Sequence, residues 1–152
     1  MDFELLMDDY LLNKARKYCA ANEHCKSEVA QKLTAWGATQ EMTDDIISRL
    51  EDENFIAEQR FAELFTRSKI NQNKWGVVKI ELELERRNIP VQIIRKALSE
   101  IDQFQYLKNL EHLVRIKSKE LKENDPFIRK QKLMAFLSSK GYEPELLEHH
   151  FE

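Results

Sequence analysis

The stretch WGVVKIELELERRNIPVQIIRKAL, residues 75–98, decides the fold. Advancing 100° per residue puts Val77, Ile80 and Leu84 on one stripe of a helix. Four residues after Leu84 stands Asn88, one of the few non-glycine residues that tolerates a left-handed helix stop. Pro90 then suits the first turn of a following helix, whose apolar edge is Ile93, Ile94, Ala97 and Leu98. The same plan occurs twice more, with Leu33 and Gly37 upstream and Leu137 and Gly141 downstream, so that successive leucines lie 51 and 53 residues apart. Helical units recurring at such a period define a repeat architecture, in which a unit too small to bury its own apolar face shares a core with its neighbours.

Working outward, the spacing of Leu12, Ala15, Tyr18 and Cys19 predicts a first helix from about Asp9 to Ala21. Ser27 is the expected N-cap of a second helix carrying Val29, Ala30 and Leu33. Thr43, backed by Asp44 and Asp45, is the expected start of a third, with Ile46, Ile47 and Leu50 as its buried edge. Because Ile46 and Ile47 sit four residues later relative to their stop than Ile93 and Ile94 do, the turn of the first unit is expected to be longer. The second unit opens with Phe61, Ala62, Leu64 and Phe65, meets a polar break at Asn71 to Asn73, and restarts as a helix near Trp75. The third has a long helix from about Gln103 to Leu121, a second announced by Asn124, Asp125 and Pro126, and a last one opened by Pro144. Leu146, Leu147 and Phe151 follow Gly141 at the offsets at which Ile93, Ile94 and Leu98 follow Asn88. The expected organisation is all-α: three tandem three-helix repeats, residues 1–57, 58–101 and 102–152, forming an elongated, curved and cooperative chain of modules.

With 34% charged residues and only 3 Gly and 3 Pro in 152 residues, the composition suits helices joined by short turns. No apolar run approaches the roughly 18 residues of a membrane span, and the segment Met1 to Asp9 is acidic, unlike a basic signal region. A cytoplasmic monomer is the expectation, with Cys19 and Cys25 reduced. The net charge of −3 is unevenly spread. Residues 1–59 carry 13 acidic and 6 basic side chains, residues 60–96 carry 4 and 9, and residues 97–152 carry 10 and 9. The middle third is the basic part.

Catalytic patterns are missing: no phosphate-binding glycine loop, no GxSxG elbow, no HExxH and no CxxC. His24, His112, His149 and His150 are too scattered for a zinc set with short paired spacing. Carboxylate pairs such as Asp44 and Asp45 read as a solvated helix face. No enzymatic activity, cofactor or metal is expected.

Function is therefore sought among the cations of the middle. Arg67, Lys69 and Lys74 border the polar break, Lys79, Arg86 and Arg87 line the next helix, and Arg95 and Lys96 lie beyond it. Trp75, Lys79, Leu82 and Arg86 fall on the side of that helix opposite Val77, Ile80 and Leu84. Trp75 and Leu82 either pack on a neighbouring unit or, with the cations, form a contact face for phosphate or acidic side chains.

At these positions the chain resembles the RecX family of bacterial recombination regulators. The resemblance is carried by Arg60, Phe61, Ala62, Arg67, Gly76, Ile80, Leu84 and Ile89, and upstream by Ser27, Glu28, Leu33 and Gly37. It covers residues 11–101 well and the last third mainly by repeat layout. Asn88 stands where the family usually has glycine, and Ala57 and Glu58 where it has an acidic pair. The resemblance implies a non-catalytic protein lying in the groove of a RecA filament on single-stranded DNA and restraining RecA's ATPase, strand-exchange and co-protease activities. Arg67, Lys69, Lys74, Trp75, Lys79, Arg86, Arg87 and Arg95 are then the candidate residues for contact with RecA or DNA. A helical nucleic-acid-binding protein acting without RecA and a protein-recruiting adaptor are the competing expectations.

Overall fold

The three leucines that set the period are fully buried in their units: Leu33, Leu84 and Leu137 are each 0% exposed. They belong to a computed structural model that describes residues 2–151, and among those residues the chain forms nine helices. Met1 and Glu152, the outer ends of the first and third expected units, lie outside the described residues. The helices are α1 (Phe3–Ala21), α2 (Lys26–Ala35) and α3 (Gln40–Asp52), then α4 (Glu58–Asn73), α5 (Val77–Arg86) and α6 (Val91–Ser99), and finally α7 (Gln103–Glu120), α8 (Pro126–Ser139) and α9 (Pro144–His150). The main helix–helix packing stays within each consecutive triplet, as expected of tandem three-helix repeats.

Each middle helix ends by the same device. The leucine carbonyl accepts from the backbone five residues on: Ala38 N–H to Leu33 at 2.9 Å, Ile89 N–H to Leu84 at 3.2 Å, Tyr142 N–H to Leu137 at 3.2 Å. That closure needs a left-handed residue in between, supplied by Gly37 (φ 94°), Asn88 (φ 60°) and Gly141 (φ 98°). The buried leucine and the stop are thus two ends of one motif.

Several local expectations shift. α1 begins at Phe3, not near Asp9, capped by Asp2, whose carboxylate accepts from Glu4 N–H at 3.0 Å. Ser27 is not a cap: Cys25 occupies that place, and the Ser27 hydroxyl donates to the Arg87 carbonyl at 3.0 Å. α3 is capped by Thr39, which accepts from Met42 N–H at 3.2 Å, while Thr43 lies buried inside the helix. The first unit's turn is consequently no longer than the others. α3, α6 and α9 each begin three residues after their stop, at Gln40, Val91 and Pro144. What differs is length: α3 runs 13 residues, so Ile46 and Leu50 reach the core one turn further along. The asparagines at 71–73 do not interrupt α4 but form its last residues, and Pro90 takes the N-cap position of α6 instead of its first turn.

The apolar side chains gather into two cores. Leu11, Leu12, Ala15, Val29, Leu33, Ile46, Leu50 and Ile56 form that of the first unit. The second and third units share the other, built around Phe61, Ile80, Leu84, Ile94, Tyr106, Leu110, Leu137, Tyr142 and Leu147. The junction between the first two units is more polar. Arg60 binds Glu23 and donates to the Asn54 carbonyl at 3.2 Å, and Lys26 Nζ lies 3.0 Å from Glu51 and 3.9 Å from Glu58. At the other junction Asn109 donates to the Ile70 carbonyl at 2.9 Å inside the shared core. Cys19 and Cys25 are buried free thiols, and burial pushes Cys19 up to about 11.

Candidate binding face on the middle unit

The candidate face starts where α4 stops. Lys74 adopts the left-handed conformation (φ 54°), turning the chain so that Trp75 comes back over the end of α4, where its N–H reaches the Lys69 carbonyl at 3.1 Å. Trp75 is therefore a turn residue, not part of the following helix, which begins at Val77 with Gly76 as its cap. Half-buried, the indole meets Phe65 edge-on with ring centroids 6.3 Å apart. Two ammonium groups lie over it, Lys69 Nζ at 4.8 Å and Lys79 Nζ at 4.5 Å from its centroid. Lys69 also sits 5.3 Å from the centre of Phe65, and the Arg87 guanidinium lies 4.9 Å from the same ring. The result is an aromatic strip decked with cations, each of which is attracted to the ring faces.

The turn is held from the third unit. Tyr142 donates to the Lys74 carbonyl at 2.9 Å, Gly76 N–H to the Lys140 carbonyl at 2.8 Å, Val77 N–H to the Tyr106 hydroxyl at 2.9 Å, and Val78 N–H to the Gly141 carbonyl at 2.9 Å. Tyr106 donates in turn to Glu143. Burial drives both tyrosine hydroxyls well above their ordinary pKa, so they keep their protons even at pH values where an exposed tyrosine ionises. Gly76 and Gly141 touch backbone to backbone: a Cβ on Gly76 would stand 2.2 Å from the Gly141 carbonyl carbon. These bonds also occupy the N–H groups of Gly76, Val77 and Val78, which removes most of the anion cradle that the start of α5 would otherwise offer. Any anion recognition here falls to side chains.

The eight residues singled out from the sequence do not form one patch. Lys69 and Lys79 converge on Trp75, with Lys74 in the adjoining turn, and among the described residues none of the three lysines has a carboxylate within ion-pair distance. Arg86 lies exposed further along α5, paired with Glu83 at 2.8 Å. Arg87 turns toward the first unit, 3.1 Å from Glu83 and 3.7 Å from Glu28. Arg67 falls on the opposite flank of α4 from Phe65. There it lines a cleft of about 380 Å³ with Glu63, Glu100 and Asp102 at its rim and Ile70, Ala97 and Ile101 at its floor. Arg95 stands exposed on α6. Leu82, the partner assigned to Trp75 on the helical wheel, is 44% exposed.

Phe65, Tyr106 and Tyr142 complete the site and were not among those residues. The i, i+4 spacing of Phe65 and Lys69 was a signal for the first. The two tyrosines lie 29 and 68 residues from the backbone atoms they bind, a distance no local pattern encodes. Among the described residues no group of three His, Cys, Asp or Glu side chains is placed to hold a metal ion, and no helix is long and apolar enough to cross a membrane.

Fold and geometry together define a helical-repeat protein built of three-helix units. The chain matches the second three-helix domain of RecX over residues 58–98 and the third over residues 105–148, which together span more than half of its length. It belongs to the RecX family. It is similar to the regulatory protein RecX of Prosthecochloris aestuarii, 27% identical over 136 residues that cover 90% of this chain and 87% of that one. The RecX of Bacillus cereus (26% identical over 135 residues) and of Listeria monocytogenes (30% over 138) align with 89% of the chain, which spans only 50% of their length. Two crystal structures share the fold. RecX from Lactobacillus salivarius superposes with a TM-score of 0.81 at 20% identity, covering 93% of this chain and 92% of that one. A second regulatory protein RecX gives 0.86 at 18%, covering 98% and 78%.

Proposed function

We propose that this protein is a cytoplasmic, monomeric regulator that binds the RecA filament on single-stranded DNA and inhibits RecA's ATPase, strand exchange and co-protease activities by occupancy. The three repeats are taken as residues 1–57, 58–101 and 102–152. Membership of the RecX family supports the partner. The observation that carries the reading is the pair of ammonium groups, Lys69 and Lys79, held over Trp75 beside the turn residue Lys74; among the described residues none of the three lysines has a carboxylate partner, and the third unit holds the turn in place. Cations presented on a rigid aromatic base suit a polyanion: they lose little conformational freedom on contact, and counterion release from phosphates supplies the driving force. The acidic first unit, with 12 acidic against 6 basic side chains in residues 1–57, is repelled by phosphate and suits a protein surface instead. Tandem units then add several weak contacts along a filament into one useful affinity.

The test is RecA's DNA-dependent ATPase titrated with the protein. Inhibition that saturates near filament stoichiometry is expected; undiminished hydrolysis at excess regulator refutes the reading. Tight binding to bare single-stranded DNA with no effect on RecA would favour a nucleic-acid-binding protein acting alone.

A further inference from the structure

The third unit, near neutral as a whole, carries a basic corner. Between Arg115 and Lys132 there are 7 basic and 3 acidic residues, whereas the acids of this unit otherwise gather near its ends. The corner is where α7 gives way to α8, and it is built rather than loose. Arg129, in the first turn of α8, donates to the carbonyls of Ser118 and, at 3.2 and 3.3 Å, of Leu121 and Glu123. The Ser118 and Leu121 carbonyls belong to the end of α7 and that of Glu123 to the linker, so one guanidinium closes the helix and ties the linker to α8. Asp125 fixes the other side by accepting from Phe127 N–H at 2.9 Å.

On this fixed corner the charges are unevenly matched. Lys117 and Lys132 have carboxylates nearby, at 3.8 and 3.7 Å. Lys119, Lys122 and Lys130 are exposed and have no carboxylate within ion-pair distance among the described residues. In the same stretch of chain, residues 119–130, Phe127 is 67% exposed. Unpaired cations and an exposed aromatic on one hydrogen-bonded corner are the elements of a single-strand platform, with phosphates on the ammonium groups and a base stacked on the ring. An acidic protein surface would use the cations and leave the phenyl ring unexplained.

We infer that the α7–α8 corner, through Lys119, Lys122, Lys130 and Phe127, is a second contact site for single-stranded nucleic acid. It rests on the reading above only in taking the ligand to be the strand that the filament coats. Its test needs no RecA: fluorescence anisotropy of a labelled oligothymidine with the full chain, titrated at several salt concentrations. Replacing all three lysines by glutamate should weaken binding and flatten the slope of log affinity against log salt by about 2, since each lost phosphate contact contributes roughly 0.7. Phe127→Ala should weaken binding by about tenfold or more, from the loss of one stacked base. Phe104→Ala, equally exposed at the far end of α7, should not change it. Unaltered affinity and slope in the triple variant, with native circular dichroism, would overturn the assignment, as would an equal loss from Phe104→Ala. Displacement of the oligonucleotide by polyglutamate as readily as by unlabelled oligothymidine would make the occupant an acidic protein and overturn it too. RecA inhibition that persists in a corner variant with unchanged oligonucleotide affinity would remove this site while leaving the regulatory reading intact.

Discussion

Replacing Gly76 by alanine tests the contact that fixes the candidate face. Gly76 has an ordinary φ of −82°, so alanine fits its backbone without torsional strain. The obstacle is tertiary, because the added Cβ would lie 2.2 Å from the Gly141 carbonyl carbon and 2.3 Å from the Tyr142 nitrogen, all of them main-chain atoms. Reaching ordinary contact at 3.4 Å requires the two turns to part by about 1.2 Å. The bonds from Gly76 to Lys140 (2.8 Å) and from Val78 to Gly141 (2.9 Å) then lengthen to about 4 Å and fail. The tyrosine bonds to Val77 and Lys74 are strained with them. Four hydrogen bonds at about 1 kcal/mol each, less up to about 1 kcal/mol regained from a stiffer unfolded chain, leave a net loss of about 3 kcal/mol. For a chain of this size that lowers Tm by about 6–12 °C. Gly37→Ala is the control: its φ of 94° is left-handed, but nothing lies within 4 Å of the added Cβ. Its net cost should be about 1 kcal/mol, or about 2–4 °C. The assay is thermal unfolding followed by circular dichroism, with urea titration to check the order. For Gly76→Ser local rules alone give the opposite forecast, since serine is a better N-cap than glycine by a few tenths of a kcal/mol. If Gly76→Ala or Gly76→Ser unfolds within about 1 °C of the parent, the backbone contact does not hold the two units and the reasoning fails.

Further outcomes follow from the same structure. Lys69→Glu with Lys79→Glu should weaken filament binding far more than Arg86→Glu, because Arg86 is already neutralised by Glu83 at 2.8 Å; equal losses in a binding titration would disperse the proposed strip. Burial raises Glu58 above the ordinary glutamate value of 4.5, so the native state holds that proton to higher pH than the unfolded chain does. Stability is therefore lost as pH rises through the window above 4.5, and Glu58→Gln should raise Tm at pH 7 while leaving it unchanged near pH 4; a gain of equal size at both pH values would contradict this. Cys19, buried and pushed up to about 11, and Cys25, also raised by burial, should resist Ellman's reagent at pH 7.5 until the chain unfolds. Rapid stoichiometric labelling of the native protein would show that these thiols are not enclosed as described.

The sequence by itself determined the repeat. Leu33, Leu84 and Leu137, with their stops four residues on, announced three middle helices, because a buried leucine and a left-handed stop are joined by one local hydrogen bond. It also located the cations, since charge is a property of composition. It misplaced the start of α3, where Thr39 and Thr43 are both acceptable caps and only the site of burial separates them. Tertiary structure alone decided which cations meet. Arg67 and Lys69 are two residues apart yet lie on opposite flanks of α4, and Arg87 is drawn to Glu28 across a unit boundary. It decided as well that Gly76, in sequence one of the residues that carry the family resemblance, is the residue against which the third unit is seated. Helix and turn rules operate over four or five residues, whereas Gly76 and Gly141 are 65 apart and meet only once the core shared by the second and third units has formed.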